Sequence, residues 1–274
     1  MKISVITPSL NQGEFIEQTI QSVITQHCVG HEIEYMVMDG GSTDNTLAIL
    51  KQYQHQIAWR SDVDNGQSHA INKGLQHTTG EIVAWLNSDD VYYPHAIKIV
   101  ADYFESHPDV DVVYGDAHLL DREGGISNFY PTETFNLERL KARCFISQPA
   151  TFIRRSAIVK FGLLDESLNF CMDYDYWLRL GMGGAKFVYL PTVLAGARIY
   201  PETKSAQYCQ EAIREAIAML KRILGYIPSE WLVSYSGANI RAKSGLRFPE
   251  PKFIFLVWLN LWKVSGCYYQ GFNR

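Results

Sequence analysis

The sequence predicts an α/β fold in which a mostly parallel sheet is covered by helices on both faces. Three observations carry that prediction. Short β-branched runs alternate with helix-length amphipathic stretches through the first half of the chain. Hydrophobic residues make up 47% of the 274 positions and charged residues 20%, a balance that suits a packed core. Acidic or hydroxyl-bearing residues follow directly after three of the apolar runs, where open α/β sheets bind their ligands.

The elements follow in order. Ile3 to Thr7 reads as a buried strand closed by Pro8. Asn11 and Glu14 have capping-box spacing ahead of a helix with Ile16, Ile20 and Val23 on one face. Residues 33 to 38 form a second strand, stopped by Asp39-Gly40-Gly41, and Ser42 or Thr43 can cap a helix carrying Leu47 and Leu50. A brief strand at Ile57 to Trp59 precedes the turn Asp64-Asn65-Gly66 and a helix over 67 to 77. Glu81 to Leu86 is a strongly apolar strand, Pro94 suits the first turn of a helix through Phe104, and Val110 to Tyr114 is another strand. Strands separated in this way imply right-handed βαβ units.

Beyond Gly115 the pattern loosens. Residues 121 to 136 read as loop and Asn136 to Arg143 as a short helix. Strands are expected at Gln148 to Ile153, Phe187 to Leu190 and Val193 to Arg198, around a helix from about Asp173 to Leu180. A long helix is expected over Ser205 to Leu224. One α/β domain over 1–225 and a C-terminal helical extension over 226–274 follow from this.

The net charge of −4 argues against a nucleic-acid binder. It is unevenly spread: residues 241 to 274 carry six basic side chains and one acid, while the first 240 are net acidic. Cys28, Cys144, Cys171, Cys209 and Cys267 show no CxxC spacing, and nothing after Met1 resembles a signal peptide, so a reduced, cytoplasmic protein is expected. The tail run Phe253 to Trp262 is too short to span a bilayer. With two tryptophans and basic flanks it suits an interfacial helix on an anionic inner membrane face, or a helix docked on the domain or on a second subunit.

Thr7-Pro8-Ser9, Asp39 and Asn87-Ser88-Asp89-Asp90 each end a predicted strand, and neighbouring strands would bring them to one cleft. Adjacent carboxylates at Asp89 and Asp90 repel unless a cation or solvent separates them. Oxygen ligands without thiolate or clustered histidine favour Mg2+ or Mn2+, which share their shell with substrate phosphates. GxxxxGK[ST], GxGxxG after the first strand, HExxH and GxSxG are all missing, which disfavours P-loop NTPases, dinucleotide oxidoreductases, zinc proteases and serine hydrolases.

Taken together, SVITPSLNQGEFIEQTIQSV (Ser4 to Val23), YMVMDGGSTDNT (Tyr35 to Thr46), SDVDNGQSHAINKGL (Ser61 to Leu75) and GEIVAWLNSDDVYYP (Gly80 to Pro94) resemble a family 2 glycosyltransferase of the GT-A fold, of bacterial surface-polysaccharide type. ISQPATFIRRSAI, FGLLDESL and MDYDYWLRL extend the likeness to about residue 205. The resemblance implies an inverting, metal-dependent enzyme that moves a sugar from a nucleotide diphosphate to an acceptor hydroxyl, on a glycan or lipid-linked carrier. It implies a nucleotide-binding half over 1–115 and an acceptor-binding half over 116–225. By similarity Pro8 and Ser9 line the nucleotide pocket, Asp39 accepts from the base, and Asp64 and Asn65 border the nucleotide or its phosphates. The family's DxD motif falls on Asn87-Ser88-Asp89, with Asp89 on Mn2+ or Mg2+ and Asn87 replacing the first acid. Asp39 suits uracil or thymine, which slightly favours a UDP-sugar.

The family's catalytic base matches Asp173, preceded by Met172 where relatives often have Glu; Asp175 is the second candidate. Tyr200 stands where many relatives have a histidine, and Arg198 either clamps phosphate oxygens or makes a surface ion pair. Two other readings compete, a nucleotidyltransferase and a nucleotide-sugar-binding protein that has lost catalysis. The tail gives a direct test: deleting residues 241 to 274 should release the protein from anionic liposomes in a flotation assay. Retention after the deletion would remove the interfacial helix from consideration.

Overall fold

The computed structural model describes residues 1–244. It divides the chain into one compact unit of residues 1–140 with 144–200, and a second of residues 141–143 with the chain from Pro201 onward. The tail run Phe253 to Trp262 lies outside the described residues.

The first unit opens with β1 (Lys2–Ser9), α1 (Ile16–Ile24), β2 (Glu32–Asp39), α2 (Thr46–Gln52), β3 (Ala58–Ser61), α3 (Gln67–Gln76) and β4 (Ile82–Trp85). It continues through β5 (Val91–Tyr92), α4 (Ala96–Ser106), β6 (Val112–Leu120), β7 (Ile126–Phe129) and α5 (Leu137–Ala142), whose last two residues fall in the second unit. After a 3-10 turn at Gln148–Ala150 come β8 (Thr151–Arg154), α6 (Arg155–Phe161), α7 (Met172–Met182) and β9 (Phe187–Arg198). Among the described residues the strands form one sheet in the order β3-β2-β1-β4-β8-β6-β9-β5, with β7 paired to β6. β3, β2, β1 and β4 are parallel; β8 runs antiparallel between β4 and β6. The mostly parallel, two-faced α/β architecture expected from the sequence is what the chain adopts.

Side chains alternate across the sheet as strand geometry requires. Ile3, Val5, Val37, Ile82 and Ala84 face a core built with Ile16, Ile20 and Val23 of α1, Leu50 of α2, and Ile97, Val100 and Phe104 of α4. Ile6 and Met38 point to the opposite face, where α3 lies so close that a Cβ on Gly74 would stand 2.6 Å from Ile6 Cγ2. On that face Trp85, at the end of β4, stacks on Trp177 of α7 with ring centroids 5.4 Å apart.

Several local expectations needed correction. Pro8 lies inside β1 instead of ending it. The Ile6 carbonyl accepts from Leu86 N, so alternate residues of β1 turn their backbone polar groups toward β4. β4 stops at Trp85 opposite Ile6, and the missing N–H of Pro8 breaks no ladder there. No capping box forms at Asn11 and Glu14: Asn11 adopts φ 53°, its Oδ1 accepts from Thr43 N at 2.8 Å, and Glu14 pairs with Arg122. Ser42 serves Asp39 and does not cap a helix, so α2 starts only at Thr46. The loop-like stretch contains β7, an exposed hairpin strand without apolar alternation. The two strands predicted on either side of Pro191 are one, β9, irregular where it passes Gly115 and Asp116.

The second unit holds α8 (Lys204–Gln207), α9 (Cys209–Leu224) and α10 (Ser229–Ser244). The single helix expected over 205–224 breaks at Tyr208, with φ −112° and ψ 35°. Gly225, the expected domain boundary, is the left-handed cap of α9 inside this unit, and α9 packs on α10. Among the described residues no helix is long and apolar enough to cross a membrane.

The Trp85–Trp177 stack is fully buried, so removing one ring leaves a cavity. Trp177→Ala should cost about 3–5 kcal/mol and lower the melting temperature by roughly 10 °C. A shift of less than about 2 °C in differential scanning calorimetry would show that the stack carries little of the fold.

Candidate functional site

The predicted site residues from β1, β2 and β4 do converge at the carboxyl ends of these adjacent strands. Ser9 pairs in register with Asp39, and both are buried. Asp39 is held by its own loop: Oδ2 accepts from Gly41 N at 3.1 Å, Ser42 N at 2.9 Å and Ser61 Oγ at 2.6 Å, and Oδ1 from the Ser42 hydroxyl. Oδ1 therefore keeps a lone pair after these bonds are made. Ser9 Oγ is buried with no partner. Asp64 lies across the Gly40 backbone, where a Cβ would meet its Oδ2 at 2.8 Å, so Gly40 is what lets β2 and this loop approach. Its Oδ1 accepts from Gly66 N at 2.8 Å, while Asn65 is exposed and donates its N–H to His69 Nδ1 at 3.0 Å. Gly66 takes φ 112°, a conformation that favours glycine, and so starts α3 abruptly.

The turn after β4 is fixed from three sides. Thr19 of α1 donates its hydroxyl to the carbonyls of Ser88 and Asp90 at 2.9 and 2.8 Å. Asn87 accepts from Gln67 Nε2 at 2.6 Å and donates to Asp90 Oδ2 at 3.1 Å. Asp90 Oδ1 accepts from Arg198 N at 2.8 Å. The two acids therefore differ in kind. Asp90 is a buried brace that joins this turn to the end of β9. Asp89 is half-buried, and its Oδ2 accepts the Tyr200 phenol at 3.3 Å.

Burial pushes the Asp90 carboxyl well above the usual range, and the neighbouring Asp89 charge adds to this against the opposing donors Arg198 N and Asn87. Burial also raises Asp89. A bound cation favours the ionised form of such a pair, so the chemistry of the turn fits a divalent ion. Asp89 would be its protein ligand, because Asp90 is already committed. Among the described residues no cluster of three or more His, Cys, Asp or Glu could form a closed cage. An ion held by one carboxylate, water and substrate phosphates matches the habit of Mg2+.

Arg198 is 5% exposed and forms no ion pair among the described residues, which corrects the surface-pair alternative. Its Nη2 donates to Gln18 Oε1 at 2.9 Å and its guanidinium lies 4.7 Å from the Phe15 ring centroid, but among the described residues Nε and Nη1 have no partner. A buried cation with two unpartnered donors beside the acidic turn suits an anion. Arg122, at the β6–β7 turn, pairs with Glu14 and lies 5.3 Å from the Tyr200 ring.

Asp173 opens α7 and accepts from Tyr174 N at 2.7 Å. Burial pushes its carboxyl up to about 6 against that hydrogen bond, which suits proton uptake near neutral pH. Asp175 turns elsewhere: it is 1% exposed and accepts from Arg179 Nε at 2.7 Å, a structural pair within α7. Met172 is buried, its sulfur accepting from Ser68 Oγ at 2.9 Å. Ser68 adjoins Gln67, which holds Asn87, so the start of α3 links the helix that Asp173 opens to the acidic turn. Gln67, Ser61 and Arg122 were not singled out from sequence. Each is an ordinary polar residue whose importance lies in a partner far along the chain.

The sequence model for Glycosyl transferase family 2 matches residues 4–162. An uncharacterised glycosyltransferase of Rickettsia typhi is 30% identical over 185 residues, covering 65% of this chain and 58% of that protein, so the chain spans less than two thirds of that relative's length. Among solved structures, S. aureus TarS 1–349 in complex with UDP-GlcNAc gives a TM-score of 0.66 at 18% identity, covering 93% of this chain and 79% of that one. A mannosyltransferase from Pyrobaculum calidifontis in complex with GDP-Man and Mn2+ gives 0.64 at 18% identity, covering 96% and 75%. The fold is therefore the GT-A type.

The raised Asp173 makes a signed prediction. A carboxyl titrating near 6 when folded and near 3.9 when unfolded binds more protons in the native state. Stability should then fall as pH rises from about 4 to 6, by up to about 3 kcal/mol. Asp173→Asn should melt higher than the parent at pH 7.5, and the gap should close by pH 4. Equal melting at both pH values would place Asp173 in contact with solvent.

Proposed function

The chain belongs to glycosyl transferase family 2, and on that footing we propose that it is an inverting enzyme transferring a sugar from a nucleotide diphosphate to an acceptor hydroxyl. The observation that carries this reading is an acidic turn at Asp89 with the buried Arg198 cation against it, together with a half-buried carboxyl held near 6, Asp173, at the start of α7. The base of the donor sits against Asp39, whose Oδ1 retains accepting capacity, with Pro8 and Ser9 beside it and Asp64 and Asn65 at the rim. Asn87 and Ser88 shape the floor under the ribose and phosphates. The neighbours that bind UDP-GlcNAc and GDP-Man with Mn2+ support a nucleotide-sugar donor.

When Mn2+ or Mg2+ is bound at Asp89, it supplies Lewis-acid neutralisation of the leaving diphosphate. Arg198 adds two free donors to the same charge, and no solvent reorganises around them during reaction. Asp173 takes the proton from the acceptor hydroxyl as it attacks, so a single base suffices. The acceptor is a glycan or lipid-linked carrier of cell-surface polysaccharide synthesis, reached at the cytoplasmic face of the membrane.

A thermal-shift panel of UDP, dTDP, GDP and CMP, with and without Mn2+, checks the donor site. One nucleotide should raise the melting temperature by several degrees only with Mn2+, as a ligand at ~100 times its Kd adds about 2.7 kcal/mol. Asp89→Ala should lose the manganese-dependent increment. Asp173→Asn should keep nucleotide binding while transfer falls at least about a hundredfold. Silence across the panel, or normal transfer by Asp173→Asn, would end this reading.

A further inference from the structure

Beside the charged groups already described lies a second group of side chains, polar but neutral. The 3-10 turn before β8 places Ser147 and Gln148 against the end of β4, where Gln148 Nε2 donates to the Trp85 carbonyl at 2.6 Å. That bond leaves Gln148 Oε1 buried without a partner among the described residues, and Ser147 Oγ, 1% exposed, is equally unpartnered there. The indole N–H groups of Trp85 and Trp177, whose rings stack, also lack acceptors among the described residues. Buried polar groups are nearly always paired in native structures, and an unpaired one lowers stability. Four together are a concentration that asks for a ligand.

Their position narrows the ligand. Trp85 precedes Asn87 by two residues, and Trp177 lies one helical turn beyond Asp173 on the same face of α7. The stacked rings thus join the strand that leads into the acidic turn to the helix that Asp173 opens, and Gln148 is bonded to the first of them. Its chemistry agrees. A hydroxyl, a carboxamide and two indole N–H groups carry no net charge, which suits a neutral polyol and not the phosphates that Arg198 faces. We propose that Ser147 and Gln148 read the hydroxyls of the transferred sugar, with Gln148 Oε1 accepting from one of them and thereby setting sugar specificity. This rests on the nucleotide-sugar reading above. A site built to accept from a hydroxyl rejects the epimer that cannot place it.

Calorimetric titration of the full chain with UDP, UDP-glucose, UDP-galactose, UDP-GlcNAc, GDP and GDP-mannose, all with Mn2+, tests this. The parent should prefer one UDP-sugar over its epimer by at least about tenfold. Gln148→Met keeps the volume and removes the acceptor. It should hold affinity for the free nucleotide within about twofold and reduce the preference to less than about threefold. Ser147→Ala leaves the Gln148–Trp85 bond intact and carries the same expectation if Gln148→Met does not fold. A preference unchanged in the variants, or absent from the parent, overturns the assignment. Failure of every nucleotide to bind the parent would instead overturn the donor reading itself.

Discussion

The stacking of Trp85 on Trp177 is the contact on which the candidate site depends. One ring ends the strand that leads into Asn87-Ser88-Asp89, and the other lies one turn along the helix that Asp173 opens. Nothing in the chain between them, nearly a hundred residues, fixes that separation by local geometry. Two rigid indoles at 5.4 Å and 17° do so with few torsions to order. The hydrogen bonds of Gln67 to Asn87 and Ser68 to Met172 repeat the same linkage from α3. The distance between the acidic turn and Asp173 is thus defined by packing, which is stiffer than a loop.

The departures from the family pattern are each absorbed by a local partner. Met172, where an acid is common, fills an apolar position and takes the Ser68 hydroxyl on its sulfur. Asn87, where the first acid of the motif is common, uses both ends of its amide, accepting from Gln67 and donating to Asp90. A second carboxylate there would face Asp90 at hydrogen-bond range and raise the repulsion that burial already imposes. Tyr200 donates to Asp89 and rests on Phe15 with ring centroids 5.0 Å apart.

Much of the first half was legible because its signals are local. Apolar runs ended by Asp39 or Asn87 mark strands, and Ile16, Ile20 and Val23 mark a helix face without any knowledge of partners. The convergence of those strand ends followed from the handedness of βαβ units. The second half depends on long-range pairing. β8 is a strand the sequence leads one to expect, but its reversal between β4 and β6 is not legible there, and β7 has four exposed residues and no sequence period. The roles of Asp173 and Asp175 were undecidable from spacing, since the difference is that Arg179 claims one of them. The burial of Arg198 was equally invisible, because it arises from Phe15 and Gln18 at the other end of the chain.

The closure of Asp90 by the backbone of Arg198 has a consequence for how the molecule is made. The parallel strands β1 to β4 are all in hand once the first ninety or so residues leave the ribosome, but the group that satisfies Asp90 comes more than a hundred residues later. At a synthesis rate of roughly 5–20 residues per second, the acidic turn waits for several seconds with its innermost carboxylate unclosed. During that interval protonation or water must stand in for the missing N–H, and β6 lacks its long partner β9 as an exposed edge. The last strand to emerge therefore both seals the sheet and completes the charge arrangement, so that the sheet and the acidic turn are completed by the same event.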